Sequence, residues 1–242
     1  VSLTSYPPRF PWLASTLRCL LLQSIKPNKL ILWLAEDDYA ELPAEVLTLQ
    51  RYGLSIELVT DMKPYKKLIP ALQQYGFDVN HVIADDDMYY PANWLESLLQ
   101  QGNGSEVVCH FSRKWLNNIG DVSTYKEWPA MVPGSSSMHG LIIGHGGVWF
   151  PPASLGPEAC DYALAAQLCP LQDDIWFSWH VLMRGYAIKR TAVGVKRFSW
   201  PGADAGDLAL STRNNPEGGG NDVAVRNMIG HYGLPESRGD VY

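Results

Sequence analysis

The sequence predicts an α/β fold with a mostly parallel central sheet flanked by helices. Two observations carry that expectation. Short apolar runs alternate with amphipathic stretches from Val1 to Pro91. A strand–helix–strand–helix–strand order of this kind needs right-handed crossovers, and so a parallel sheet. Acids also gather where apolar runs end, most densely at Asp85-Asp86-Asp87. In open α/β sheets the carboxyl edge is where ligands bind.

In chain order, Val1–Ser5 (VSLTS) reads as a strand ending in hydroxyls, followed by the Pro-rich turn YPPRF. Trp12–Ser24 carries apolar residues at helical spacing and is stopped by Lys26-Pro27-Asn28. Lys29–Ala35 is a buried strand with Glu36-Asp37-Asp38 at its tip, a cluster that a loop and helix cap account for. Pro43–Arg51 is a short helix and Leu54–Val59 a third strand, closed by Asp61. Pro64–Tyr75 is expected to open a helix with Lys66 and Lys67 in its first turn. Cations there oppose the helix dipole. They are either solvated surface groups or contacts to a phosphate.

The stretch HVIADDDMYYP, His81–Pro91, is the pivot of the chain. Three adjacent carboxylates at a strand end repel one another unless positive charge sits among them. A divalent cation carrying a phosphorylated substrate would supply it. Beyond Pro91 come a helix over Asn93–Gln101, a strand over Glu106–Phe111, and Ser112–Met138, which has no clear periodicity. Leu141–Phe150 reads as one strand interrupted by Gly144, Gly146 and Gly147, positions where another group can approach the backbone. Asp173 and Asp174 open a helix. One of them is expected to cap it, which leaves a spare carboxylate beside apolar rings, where a raised pKa makes a useful base. The Gly/Asn/Asp-rich run from Ala203 to Asp222 has the composition of a lid or a disordered loop, and Asn221-Asp222 caps a last helix over Val223–Tyr232.

Composition bounds the function. With 46% hydrophobic and 18% charged residues, the 242-residue chain is an ordinary globular protein, read as one domain. A net charge of −6 argues against nucleic acid and polybasic membrane contacts. No apolar run is long enough to span a bilayer. Val1 already begins a strand, so no signal peptide is expected, and the missing initiator Met points to a domain from a longer chain. The four cysteines lack CxxC spacing and are expected to be reduced thiols of a cytosolic protein. Nine Trp and twelve Tyr exceed what a core needs, and flat rings line sugar and nucleobase sites.

VSLTSYPPRF, DMKPYKKLIPAL, VIADDDMYYPANWL, GGVWFPP, LQDDIW and GGGNDVAVRNM together resemble bacterial inverting sugar transferases of the glycosyltransferase-A fold, similar to glycosyltransferase family 2 and to the transferases of capsule and O-antigen (lipopolysaccharide) gene clusters. ADDDMYYP replaces the family's usual D-x-D-D spelling. The resemblance implies a Rossmann-like sheet, with residues 1–91 binding the nucleotide-sugar donor and residues 92–242 binding the acceptor and carrying catalysis. It implies Thr4, Ser5, Tyr6 and Arg9 around the nucleotide, Asp61 beside the base or ribose, and Lys66 near the phosphates. Asp85 and Asp87 would be the D-x-D pair, with Asp86 between them on the donor side. Asp87, assisted by Asp85, would hold Mn²⁺ or Mg²⁺, a hard cation suited to carboxylate and phosphate oxygens. His231, Asp222 and His180 are the candidates for a further metal ligand from the C-terminal half.

In the family's E-D motif the second acid is the base, so Asp174 outranks Asp173. Gly146 and Gly147 would admit the donor sugar or acceptor to the backbone, and Trp149 is either core or a sugar-stacking platform. His145 is read as structural or as a ligand contact, His110 as core beside Cys109, and Trp176 and Trp179 as core. The implied reaction uses a UDP-linked sugar, UDP-galactose being the first guess, with a glycan or lipid-linked glycan as acceptor, in the cytoplasm or at the cytoplasmic face of the inner membrane, with at most peripheral membrane contact and possible flanking domains. A sugar nucleotidyltransferase is the competing enzyme, but TSYPPRF lacks the glycines of its phosphate loop. A non-catalytic carbohydrate-binding module is the other alternative, and it would not need Asp173 and Asp174.

Overall fold

The computed structural model describes residues 1–115, 123–192, 198–203 and 219–235. Its first strand, β1 (Ser2–Thr4), is followed by helix α1 (Phe10–Leu21), β2 (Leu30–Ala35), α2 (Ala44–Thr48), β3 (Leu54–Val59), α3 (Ile69–Tyr75) and β4 (His81–Ile83). Then come β5 (Met88–Tyr89), α4 (Trp94–Leu99), β6 (Glu106–Cys109), β7 (Ser112–Lys114), β8 (Ser136–Ser137), β9 (Gly140–Ile142) and β10 (Val148–Phe150). The remaining elements are α5 (Tyr162–Leu168), α6 (Asp173–Met183), β11 (Ala187–Arg190), β12 (Phe198–Ser199) and a last helix, α7 (Gly220–Tyr232). No helix among the described residues is long and apolar enough to cross a membrane.

Eight strands form the main sheet in the order β3-β2-β1-β4-β10-β6-β11-β8. The block β3-β2-β1-β4 is parallel, β10 runs antiparallel between β4 and β6, and β8 is antiparallel at the edge. From β1 the chain steps outward to β2 and β3, then returns to lay β4 on the other side of β1. The strand order therefore reverses between β1 and β4, and that reversal opens a crevice at their carboxyl ends.

Successive strand residues point to opposite faces, and the core divides accordingly. Val107, Cys109, Val148 and Phe150 join Trp176, Phe177 and Leu182 on one face, while Val108 and Trp149 join Leu17, Trp94 and Leu98 on the other. Burying a large apolar side chain contributes about 1.5–3 kcal/mol, so the two faces together supply the main drive for folding. None of the four cysteines, all among the described residues, forms a disulfide.

Four sequence expectations are corrected. Leu141–Phe150 is two strands in different sheets, not one. β9 pairs with β7, and a 3-10 turn at Gly144–Gly146 carries the chain to β10 in the main sheet. Lys66 and Lys67 precede α3 in a 3-10 turn, Lys63–Lys67, so the dipole argument does not apply to them. The side chains of Asp173 and Asp174 do not cap α6, because each has another partner, and Asn221-Asp222 lies inside the first turn of α7 rather than before it. Most of the run from Ala203 to Asp222, where a lid was expected, lies outside the described residues.

Candidate functional site

A cavity of about 1110 Å³ sits at the carboxyl edge of the parallel block. The tip of every strand of that block contributes to it: Thr4, Ser5 and Tyr6 after β1, Asp38 after β2, Asp61 after β3, and Asp85, Asp86 and Asp87 after β4. The far wall holds Asp173 and Asp174 from α6, with Phe111, Arg113, Tyr125 and His145.

The three adjacent acids are compensated by side chains of the protein itself. Ser5 Oγ donates to Asp86, and the Arg9 guanidinium pairs with both Asp86, at 3.3 Å, and Asp87. Asp85 turns the other way, 3.2 Å from the Lys67 ammonium, while its backbone N–H donates to Tyr90 Oη at 2.9 Å. Lys67 is the hub. Its side chain is 8% exposed, and Nζ also lies 2.9 Å from Asp173 Oδ2. Ser2 Oγ donates to the Lys67 carbonyl at 2.6 Å, which fixes the turn that delivers this lysine.

Asp174 is held differently. Its Oδ2 accepts the Gly144 backbone N–H at 2.9 Å, and its Oδ1 is shielded from solvent with no hydrogen-bond partner among the described residues. A side chain at Gly144 would not fit here, since a Cβ would meet Asp174 Oδ1 at 2.8 Å and Lys67 Nζ at 3.1 Å.

These surroundings set the charge states. Burial, reinforced by the neighbouring Asp173 charge, pushes Asp174 up to about 7 despite the opposing pull of Lys67. Burial raises Asp86 to about 6, against the pull of Arg9. Asp173 is also raised by burial, although Lys67 opposes it. For Asp85 burial works against ionisation, yet Lys67, His145 and Arg9 hold it below the usual carboxylate range. Burial likewise opposes ionisation of Asp61, but hydrogen bonds from Lys63 and Lys66 bring it down to about 2.

Most of the residues singled out in the sequence meet in this cavity. Thr4, Ser5, Tyr6, Arg9, Asp61, Lys66, Asp85, Asp86, Asp87, Asp173 and Asp174 all line it. Thr4 Oγ1 donates to the Trp33 carbonyl at 2.8 Å, and the buried Lys66 pairs with Asp61. His145 is exposed in the cavity wall rather than structural, whereas His110 is buried beside Cys109 as expected.

Four residues fall elsewhere. Gly146 donates nothing to the cavity lining and accepts from Trp94 Nε1 through its carbonyl at 2.8 Å. Gly147, at φ +91°, backs onto the Trp94 ring, which a Cβ would strike at 2.3 Å, so its missing side chain serves packing. Trp149 is a core residue whose Nε1 donates to Asn80 at 2.9 Å, not a platform at the cavity. His231 lies ten residues beyond Asn221, the α7 residue that lines the cavity, which is about 15 Å along a helix axis.

The other two candidate metal ligands fare no better. His180 is buried between Trp176 and Tyr232, and Asp222 accepts the Tyr125 backbone N–H at 2.7 Å.

Lys67, read with Lys66 as a solvated surface group or a phosphate contact, is instead a buried partner of Asp85 and Asp173, and the KK pair before LIP gives no means of telling the two lysines apart. Arg113 and Tyr125 come from the aperiodic segment and leave no sequence signature, and Phe111 is the last residue of the strand expected over Glu106–Phe111, with nothing in the pattern to mark it as a cavity residue.

The donor set suits a hard divalent cation in its chemistry: five carboxylates, from Asp85, Asp86, Asp87, Asp173 and Asp174, face two cations, Arg9 and Lys67. Among the described residues no three His, Cys, Asp or Glu side chains are gathered as a ready metal cage. No protein-family model matches the chain, and no curated protein matches it.

Proposed function

We propose that this chain is a metal-dependent inverting glycosyltransferase of the glycosyltransferase-A fold, moving a sugar from a nucleotide sugar, a UDP-linked one by its resemblance, to a hydroxyl of a bacterial surface glycan. One observation carries the reading. Asp174, its carboxyl raised to about 7, presents a solvent-shielded oxygen without a hydrogen bond among the described residues, in the same cavity as the strand-tip acids. A general base works best with a pKa near the operating pH.

The residues divide the work across the cavity. Thr4, Tyr6, Asp61 and Lys66 line the side proposed for the nucleoside. Asp85 and Asp87 would hold a divalent cation, which when bound supplies positive charge against the departing diphosphate. Lys67 adds fixed positive charge between the donor acids and the Asp173-Asp174 pair.

The acceptor hydroxyl gives its proton to Asp174 Oδ1 as its oxygen bonds to the anomeric carbon. The bond from that carbon to the phosphate oxygen breaks, and its electron pair leaves with the nucleoside diphosphate. A single displacement of this kind inverts the anomeric centre. Gly144 N–H, bonded to Asp174 Oδ2, keeps the other oxygen directed at the acceptor.

The test is release of nucleoside diphosphate from a panel of nucleotide sugars, with wild type and Asp174→Asn compared at matched folding. Loss of a positioned base lowers the rate by about 10²–10⁴-fold. Undiminished turnover in the variant would remove Asp174 from the chemistry. The proposed setting is the cytoplasm, at the inner membrane face where lipid-linked acceptors lie.

A further inference from the structure

The basic side chains of the cavity are paired with carboxylates, with one exception among the described residues. Five Lys and Arg side chains line it: Arg9, Lys63, Lys66, Lys67 and Arg113. Arg9 pairs with Asp86 and Asp87, Lys63 and Lys66 with Asp61, and Lys67 with Asp85 and Asp173. Arg113 has no carboxylate partner among the described residues. Its Nη1 donates to the Trp128 carbonyl at 2.6 Å, and its guanidinium lies 5.2 Å from the centroid of the Tyr125 ring.

Those two contacts fix the guanidinium plane without neutralising it, and they leave the Nε–Nη2 edge with donors to offer. A half-buried arginine with a fixed fork and no counter-charge matches a carboxylate or phosphate bidentately.

The position of Arg113 assigns the anion to the acceptor. β7 pairs with β9 so that Arg113 stands opposite Leu141, and the chain continues from there to Gly144, the residue bonded to Asp174. The Tyr125 hydroxyl is raised by burial, lowered by Arg113 and raised again by Asp174, so the ring feels both groups. Arg113 therefore belongs to the part of the lining that carries the proposed base. Phe111 and Tyr125 line the same cavity, each with one ring face under a guanidinium, Arg190 at 5.0 Å and Arg113 at 5.2 Å, so that it is the remaining ring surface that a sugar can pack against.

We infer that Arg113, with Tyr125 and Phe111, forms an acceptor subsite for a sugar ring bearing an anionic group, either the carboxylate of an acidic sugar or the phosphate of a phosphorylated one. The assignment to the acceptor rests on the proposed role of Asp174; recognition of an anionic sugar at Arg113 does not.

Calorimetric titration without nucleotide or metal tests it, using methyl β-glucuronide, glucose 1-phosphate and neutral methyl β-glucoside. Wild type is expected to bind at least one of the anionic sugars about ten-fold more tightly than the glucoside, and the arm that responds identifies the source of the charge. Arg113→Met and Arg113→Gln should reduce that preference to under about two-fold. Arg113→Lys keeps the charge and the stem against Tyr125 but loses the fork, so it should fold and show a preference several-fold weaker than wild type.

Equal affinity of wild type for all three sugars overturns the inference. So does a preference of wild-type size in Arg113→Lys, or one that survives in a folded Arg113→Met, since that would be phosphate held on the donor side. Nucleotide-sugar turnover is scored separately: its absence would sink the transferase reading while leaving a measured Arg113-dependent preference in place.

Discussion

The ammonium of Lys67 lies 2.9 Å from Asp173 Oδ2, and through that contact a lysine from the turn before α3 is locked to the first residue of α6. The same ammonium reaches Asp85 after β4, so one buried cation ties the strand-tip acids to the pair that includes the proposed base.

Lys67→Met should be strongly destabilising. Removing one member of a buried ion pair costs about 3–5 kcal/mol, because the partner charge stays buried and uncompensated. Asp85 is 26% exposed, which favours the lower end of that range. The deficit should shrink between pH 8 and pH 5 as the stranded carboxylates take up protons. Urea unfolding at both pH values measures it, and a deficit independent of pH would argue against the ion pair as its origin.

Activity and stability should respond to pH in opposite directions around Asp174. As a base it acts when ionised, so kcat/KM should rise through about pH 7 and fall about ten-fold per unit below it. Asp174 and Asp86, raised to about 7 and about 6, hold protons in the folded state that the unfolded chain, with carboxylates near 3.8, has released. Their contribution to stability is complete below about pH 4 and is lost as pH rises through 6 and 7. Asp61 and Asp85, both lowered, act oppositely, stabilising above pH 4 and losing that contribution as pH falls. Asp174→Asn should therefore melt higher than wild type at pH 8, with the gap closing towards pH 5.

Two glycines should separate packing from chemistry. At Gly147 a Cβ meets the Trp94 ring at 2.3 Å on a backbone with φ +91°, so Gly147→Ala should lose several kcal/mol of stability. Gly144 lacks a positive φ, and its Cβ would press on Asp174 Oδ1 at 2.8 Å. Gly144→Ala should cost less stability than Gly147→Ala while lowering turnover at least ten-fold. Thermal melting and diphosphate release, measured on both variants, distinguish the two outcomes.

Much of this was legible in the sequence, and the exceptions have physical reasons. The strand at Leu54–Val59 and the acids after His81–Ile83 follow from local apolar pattern and from the rule that parallel sheets bind ligands at their carboxyl edge. The source of the positive charge among those acids could not be read locally, because Arg9 and Lys67 reach Asp87 and Asp85 from 78 and 18 residues away in the chain. Trp149 illustrates the other limit. A strand tryptophan faces one side of the sheet or the other according to register, and here the register turns it into the core beside Trp94. Asp173 and Asp174 have the composition of a helix cap, yet Lys67 and the Gly144 N–H compete successfully for their oxygens.

Trp149 and His231 are also expected to be silent at the cavity. Trp149→Phe loses the bond to Asn80 and should lower stability by about 1 kcal/mol, and His231→Ala should leave metal-dependent nucleotide affinity within two-fold of wild type. A ten-fold loss of nucleotide affinity in His231→Ala would restore that histidine as a ligand.

Thermal shift with UDP, GDP, CDP and dTDP, each with and without Mn²⁺, tests the central claim most directly. The expected result is a rise in Tm with one nucleotide only when Mn²⁺ is present, a rise lost in Asp87→Asn, since a ligand that binds only the folded state stabilises it by mass action. No shift with any nucleotide in the presence of Mn²⁺ would contradict the account.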